Sequence, residues 1–382
     1  MISYSGIVSI ALFISLVFSS VTFGVYFEYS LIPAVFVVLA LFLGYVRFGV
    51  KIKYPDLVIM MFIAYSIILS VTNVYLFKEA LSLIYILFGY RLVSDCDSTK
   101  ITRAVKIAIW LLLIIGLAEL YAPFLGQIKS MLLTRSYASG SLYRGISSLT
   151  PEPSYFALTL FSAFILVATS KRHAETDWMI IFLVFSGLIF SLSTMIALMI
   201  PLILLMTKSI KGYQVLLAFL IIIFVSISYF DGSRFMQVIL GLSDGIGYLK
   251  SDGSSSSRLF YIIKDLNIFA SNYGLPLGPG GYELFAGDGG YLKGVGLETI
   301  YDPSLSGSFL GRMLVNYGFL LCVPIYMIFR EFILEFGYVK GFLAFFFLVA
   351  VMFQMISLAF APFSIAVGAL LGNPSRISGR IR

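Results

Sequence analysis

Two segments of this chain carry residue types that can do chemistry at defined spacing. The first, residues 143 to 159, reads YRGISSLTPEPSYFALT and places Arg144 and Glu152 just before an apolar run. An arginine binds phosphate oxygens through two N–H groups at once, and a carboxylate accepts protons. The segment can therefore bring a cation and a carboxylate to one substrate.

The same segment also has a structural explanation. Pro153 suits the first turn of a helix, and the carboxylate of Glu152 is favourable at the positive helix N-terminus. This explanation does not account for Arg144, so both interpretations stay open.

The second segment, SDGSSSSRLFYIIKDLNIFASNYG, predicts an amphipathic helix along a membrane surface over residues 258–271. Arg258 stands at its start, where a cation opposes the helix dipole and a bound anion would offset that cost. An arginine solvated after a flexible serine run is an equal alternative. The apolar residues that define the predicted face are Leu259, Ile262, Ile263, Leu266 and Phe269.

A glycine-rich stretch follows this helix, and eleven of the chain's 33 glycines lie between Gly274 and Gly311. Glycines let main-chain N–H groups approach a ligand and form an anion-binding nest, although glycine-rich loops are more often simple connections. The candidate binding residues here are Gly278, Gly280, Gly281, Tyr282 and Glu283.

The elements that position these segments are predicted to be membrane-spanning helices. Hydrophobic residues make up 60% of the 382 and charged residues 12%, and the mean hydropathy is +0.99. We predict an all-α polytopic membrane protein, one transmembrane domain over residues 1–382 with about 11 to 12 transmembrane helices. The predicted spans are 5–23, 30–47, 56–74, 77–93, 102–121, 154–170, 178–191, 194–207, 213–230, 309–329 and 341–360, and a shorter run at 362–372 is predicted to turn back. The serine-rich FSLSTM marks a break between the seventh and eighth spans.

Lysines and arginines in the short connections predict the orientation, because such residues concentrate on the cytoplasmic side. With a cytoplasmic N-terminus, the two long connections at 122–152 and 231–308 lie on the external side of the membrane. They carry Arg144 and Arg258. Long connections escape this rule, so their charges are available for other roles. The predicted cytoplasmic cations are Arg47, Lys51, Lys53, Arg91, Lys100, Arg103, Lys106, Lys171, Arg172, Lys208, Lys211, Arg330 and Lys340.

Metal and cofactor chemistry is not expected. The single histidine, His173, lies beside two cations, and no cluster of cysteine, histidine and aspartate suggests a metal site. Cys96 falls in a short loop and Cys322 inside an apolar run, so a structural disulfide is not expected. We predict no metal, no cofactor and no nucleic-acid partner.

In this order, the segments resemble the bacterial oligosaccharide repeat-unit polymerases of the Wzy type, within the O-antigen polymerase and ligase superfamily. YRGISSLTPEPSYFALTLF is similar to their Arg, Gly, then Glu-Pro-Ser-aromatic-Ala run, and SSSRLFYIIKDLNIFASNYGLPLGPGGYELF to their arginine-led helix with its glycine-rich turn. SLSGSFLGRMLVNYGFLLCVPIY resembles the following return into the membrane, where an asparagine or acid precedes glycine, and FSLSTMIAL resembles their helix break. The resemblance covers roughly residues 140 to 330.

The resemblance implies a metal-independent glycosyltransferase of the bacterial inner membrane, with a GT-C-like fold and an active site facing the periplasm. It would join undecaprenyl-diphosphate-linked oligosaccharides by transferring a glycan from one carrier to a sugar hydroxyl on another, building O-antigen, capsule or exopolysaccharide. Its expected partners are these substrates, membrane lipids and a chain-length regulator protein.

The resemblance also implies roles for single residues. Arg144 and Arg258 would bind the departing diphosphate, and Arg312 is a third candidate, with snorkelling from a helix end as its alternative. Glu152 is the first candidate proton acceptor. Ser154 and the rings of Tyr155 and Tyr282 would contact sugars. Glu283 and Asp302 are further candidate proton acceptors, and the alternative interpretation of both is as solvated loop residues.

Two rival functions remain open. Ligases that transfer glycan to lipid A core carry a histidine before the return into the membrane, and this chain has Ser306 there, which favours a polymerase. A transporter or flippase usually buries several charges within its spans or shows internal repeats. Here Glu119 is the main charged residue inside a predicted span, and no repeat is evident.

Overall fold

The computed structural model describes residues 3–21, 31–70, 74–122, 124–133, 146–170, 178–191, 193, 195–207, 253–278, 282, 308–354 and 360–372. Every regular element within these ranges is helical. The α-helices are α1 Tyr4–Val17, α2 Leu31–Val46, α3 Tyr54–Ser70, α4 Val74–Asp95, α5 Ser98–Tyr121, α6 Phe124–Leu132, α7 Pro153–Ser170, α8 Trp178–Ser191, α9 Ile196–Met206, α10 Gly253–Ser271, α11 Phe309–Tyr317, α12 Cys322–Phe336, α13 Tyr338–Gln354 and α14 Ala361–Leu371.

Most of these helices lie where the apolar runs predicted spans, and α8 and α9 are separated at the predicted serine-rich break. One predicted span, 309–329, is wrong as a continuous helix, because a 3₁₀ turn at Gly318–Leu321 separates α11 from α12. Gly318 has φ +56, and an added Cβ would lie 2.5 Å from the carbonyl oxygen of Gly274. Helix α6 was not predicted, and the predicted span 213–230 lies outside the described residues.

Two helices within the described part are long and apolar enough to cross a bilayer, Ser98–Glu119 in α5 and Pro153–Ser170. Several shorter apolar helices accompany them. Large apolar side chains face outward on some of these, and in α2 Val35, Phe42 and Val46 are 64%, 58% and 69% exposed. Exposed apolar surface of this kind suits contact with another apolar medium. The all-helical architecture and these helices agree with the predicted class.

The described helices divide between two compact units. Unit 1 contains residues 1–61, 81–236 and 359–382, and unit 2 contains residues 62–80 and 237–358. Helices α3 and α4 each contribute residues to both units. The two candidate segments of the sequence fall in different units.

One end of unit 1 is held by a buried arginine. Arg91 is 1% exposed and forms ion pairs with Asp56 and, at 2.9 Å, with Asp95. It also donates a 2.7 Å hydrogen bond to the carbonyl oxygen of Lys51. A buried charge needs such partners, since its desolvation is costly. Arg91 thereby joins the end of α4 to the connection between α2 and α3.

In unit 1, helices α4 and α14 run in the same direction at close contact. The hydroxyls of Ser82 and Ser364 are 3.1 Å apart, and a Cβ on Gly368 would overlap the carbonyl group of Ile86. Small residues let helix backbones approach in this way. Contacts recur every four residues along both helices, which shows that the helices are parallel. The contacting pairs are Ser82 with Ser364, Ile86 with Gly368, and Tyr90 with Gly372.

Candidate functional site

A cluster of buried polar side chains lies in unit 2, where α10 packs against α11. Helix α11 begins after Ser308, whose hydroxyl accepts a 3.0 Å hydrogen bond from the N–H of Gly311. The hydroxyl and backbone N–H of Ser308 both donate to Oδ2 of Asp265, at 2.6 and 2.9 Å. Asp265 on α10 is therefore fixed at the N-terminus of α11, where a negative charge is favourable.

Asp265 has a perturbed electrostatic environment. It is 0% exposed, and burial raises its pKa to about 6, against the opposing effects of the hydrogen bonds from Ser308 and of the charge on Arg312. Its second oxygen, Oδ1, is buried and has no hydrogen-bond partner among the described residues. The side chain therefore titrates near neutral pH, and one of its oxygens can still accept a proton.

Two cations face the same tyrosine ring beside this carboxylate. Lys264 is 1% exposed and places Nζ 5.4 Å from the ring centroid of Tyr282. Arg312 is 7% exposed and places its guanidinium carbon 5.2 Å from that centroid. An aromatic face attracts cations. Lys264 and Arg312 therefore place two positive charges beside the carboxylate of Asp265.

Asn316 connects this cluster to α4. Its Oδ1 accepts a 3.0 Å hydrogen bond from the backbone N–H of Tyr282, and its Nδ2 donates at 3.1 Å to Oε2 of Glu79. Asn316 and Glu79 are both 2% exposed. Asn316 belongs to the segment that was predicted to return into the membrane. Its backbone carbonyl also accepts a 3.0 Å bond from the N–H of Gly278, so that amide is occupied within the protein rather than facing a ligand.

In unit 1, the first candidate segment forms the start of α7. The backbone carbonyl of Glu152 accepts hydrogen bonds from the N–H groups of Tyr155 and Phe156, at 3.1 and 3.3 Å. The Glu152 carboxylate accepts a 2.9 Å bond from the hydroxyl of Ser154. The ring of Tyr155 packs edge-on against Phe360, with centroids 5.2 Å apart. These contacts agree with the interpretation of Glu152 as a residue that stabilises a helix N-terminus. Part of the surface of Glu152 stays exposed.

A buried ion pair before this turn was missed from the sequence. Nζ of Lys129 in α6 lies 3.0 Å from Oε1 of Glu119 in α5 and also donates to the hydroxyl of Ser147. Lys129 is 5% exposed and Glu119 8%. Burial lowers the pKa of Lys129, and Glu119 opposes that change. The available signal was Glu119 itself, since a charge inside a span requires a partner.

One prediction for α10 needs a correction. The helix begins at Gly253, so Arg258 lies in its second turn and not at its start. Lys264, Asp265 and Ile268 are at most 1% exposed, because α11 packs against the side of α10 that carries Asp265. Leu266 of the predicted apolar face is 44% exposed.

The other predicted site residues are placed as follows. Arg312 turns inward over Tyr282 and does not snorkel from the helix end. No group of three or more histidine, cysteine, aspartate or glutamate side chains is arranged to hold a metal ion within the described residues. Outside the described residues lie Arg144, Gly280, Gly281, Glu283 and Asp302.

Comparison with protein-family models, curated proteins and solved structures finds no match to this chain.

Proposed function

We propose that this protein polymerises oligosaccharide repeat units carried on undecaprenyl diphosphate in the bacterial inner membrane, at its periplasmic face. In this reaction a sugar hydroxyl of one carrier-linked unit attacks the anomeric carbon of a second glycan. The bond from that carbon to the diphosphate oxygen breaks, and the hydroxyl proton passes to a base. The products are a longer carrier-linked glycan and free undecaprenyl diphosphate.

The observation that supports this function most is the pair of buried cations, Lys264 and Arg312, at the ring of Tyr282. A departing diphosphate gains negative charge as the glycosidic bond breaks. Cations fixed in a site with little water stabilise such charge more strongly than cations in solution. Both cations belong to segments that carry the resemblance to repeat-unit polymerases.

The remaining residues have roles in this proposal that the resemblance implies. Arg144 and Arg258 also bind the diphosphate, and Glu152 at the start of α7 is a candidate proton acceptor. A chain-length regulator and membrane lipids are the expected partners. The apolar, outward-facing helices are proposed to lie in the bilayer.

A deletion strain tests this function through its surface glycans. A polymerase predicts loss of long chains while single repeat units stay attached to the cell surface. Unattached polymer on its carrier would indicate a ligase, and accumulation of single units on the cytoplasmic side would indicate a flippase. Either result would overturn the proposal.

Complementation with a variant links the function to the site. Arg312→Ala should abolish long chains at an unchanged protein level, because a buried cation near the leaving group is lost. Arg330→Ala on α12 is the matched control, since Arg330 is exposed. Wild-type chain lengths with Arg312→Ala would remove this arginine from the proposed site.

A further inference from the structure

The two carboxylate oxygens of Asp265 have different surroundings, and this difference suits a group that accepts a proton. Two hydrogen bonds from Ser308 hold one carboxylate oxygen, Oδ2. They fix the plane of the group and leave Oδ1 as the oxygen with no partner among the described residues. A buried polar atom without a partner is rare in native structures and calls for an explanation.

The surroundings of Asp265 match the needs of the proposed reaction. Its own helix contributes Lys264, α11 contributes Arg312 and the cap residue Ser308, and the preceding connection contributes Tyr282. Helix α13 also packs on α10, and its only titratable side chains, Tyr338 and Lys340, lie in its first turn. The carboxylate and the two cations that would face the diphosphate therefore occupy one site.

Glu152 is less suited to accept the proton. Its backbone carbonyl begins α7, and its carboxylate is bonded to the hydroxyl of Ser154, so its contacts are those of a helix N-terminus. It also keeps part of its surface exposed.

We infer that Asp265 is the catalytic base of the proposed polymerisation, an inference that rests on that function. Its Oδ1 takes the proton from the attacking sugar hydroxyl while the new bond to the anomeric carbon forms and the bond to the diphosphate oxygen breaks. Lys264 and Arg312 stabilise the leaving diphosphate. Ser308 is a positioning residue that holds Oδ2. A pKa of about 6 keeps the carboxylate mostly ionised at neutral pH and still basic enough to take a proton.

The test uses the purified full-length protein in detergent and carrier-linked repeat units extracted from the deletion strain. Asp265→Asn is the decisive variant, because the amide oxygen can still accept both bonds from Ser308 while the side chain cannot take a proton. The expected result is a polymerisation rate lower by about 10²- to 10⁴-fold at an unchanged melting temperature. Asp97→Asn, the same change at an exposed carboxylate that caps α5, is assayed in parallel and should retain most of the wild-type rate, because asparagine caps a helix about as well as aspartate.

The pH profile separates catalysis from structure. The wild-type rate should rise with pH through about 6, since only the ionised carboxylate is a base, and this limb should be absent in Asp265→Asn. Ser308→Ala should move the limb to higher pH, because the bonds from Ser308 lower the pKa of Asp265. An Asp265→Asn variant with the wild-type rate and pH profile would overturn this inference and leave the proposed function standing. A wild-type protein that forms no polymer from these units would overturn the proposed function and, with it, the inference.

Discussion

Gly311 and Ser308 show how single residues shape the candidate site. The hydroxyl of Ser308 caps α11 and donates to Asp265, so one side chain serves helix and carboxylate together. Gly311 is required beside it, because an added Cβ would overlap the carboxylate of Asp265. Neither role follows from glycine or serine content alone.

The close approach of Gly311 predicts a large stability loss for Gly311→Ala. Overpacking of a tight contact typically costs about 1–3 kcal/mol, and the contact here is with a fixed carboxylate. Thermal unfolding of the purified protein in detergent measures the effect. Gly49→Ala is the control, since no atom lies within 4 Å of its added Cβ and only its positive φ adds strain of about 1–2 kcal/mol. A melting temperature for Gly311→Ala that equals the wild-type value would contradict the overlap.

Arg312→Lys tests whether charge alone suffices at position 312. Lysine keeps the positive charge but loses the planar guanidinium that stacks on a ring and binds phosphate through two N–H groups. We expect shorter or fewer glycan chains than in the wild type, measured in the complemented deletion strain. Arg330→Lys on the exposed surface of α12 should leave the chain lengths unchanged. Full chain length with Arg312→Lys would show that a point charge is enough.

At the scale of elements, α6 is held by the buried pair of Lys129 and Glu119. This contact ties α6 to α5, and the bond from Lys129 to Ser147 ties both to the turn that leads to Glu152. The pair therefore positions the start of α7 through a chain of buried contacts. The apolar pattern did not predict α6, because the nine residues Phe124–Leu132 are too few to span a bilayer.

Removal of one partner of this pair should cost more than removal of both. Lys129→Met leaves the buried carboxylate of Glu119 without this cation, for which the expected loss is about 3–5 kcal/mol. The double variant Glu119→Leu, Lys129→Met removes both charges and should recover most of that loss. Thermal unfolding of the single and double variants measures the coupling. Losses that simply add would contradict an interaction between the two side chains.

At the scale of the whole molecule, contacts within unit 1 bear on the predicted orientation of the chain in a membrane. Nζ of Lys100 donates to the hydroxyls of Ser3 and Ser5, so the N-terminal end of α1 lies beside the start of α5. Arg91 binds the connection between α2 and α3 at the end of α4. These cations were predicted to share the cytoplasmic side, and they lie beside chain segments predicted to be on that side.

The parallel packing of α4 and α14 predicts where the C-terminus lies. Because the two helices run in the same direction, the chain leaves α14 on the side where α4 ends at Asp95. We expect green fluorescent protein fused after Arg382 to fluoresce and alkaline phosphatase fused there to be inactive. A phosphatase fusion after Leu133, in the first long connection, should be active. The reverse pattern would contradict the predicted orientation.

The sequence by itself determined the helical class and most helix positions, because an apolar run long enough for a helix is a local property of the chain. It also marked Arg312 as a candidate binding residue and Glu119 as a charge inside a predicted span. Only the tertiary structure decided which polar groups meet. Asp265 and Ser308 are 43 residues apart, and Asn316 and Glu79 are 237 apart. Such pairs depend on which helix faces pack together, and α11 packs against the side of α10 that carries Asp265.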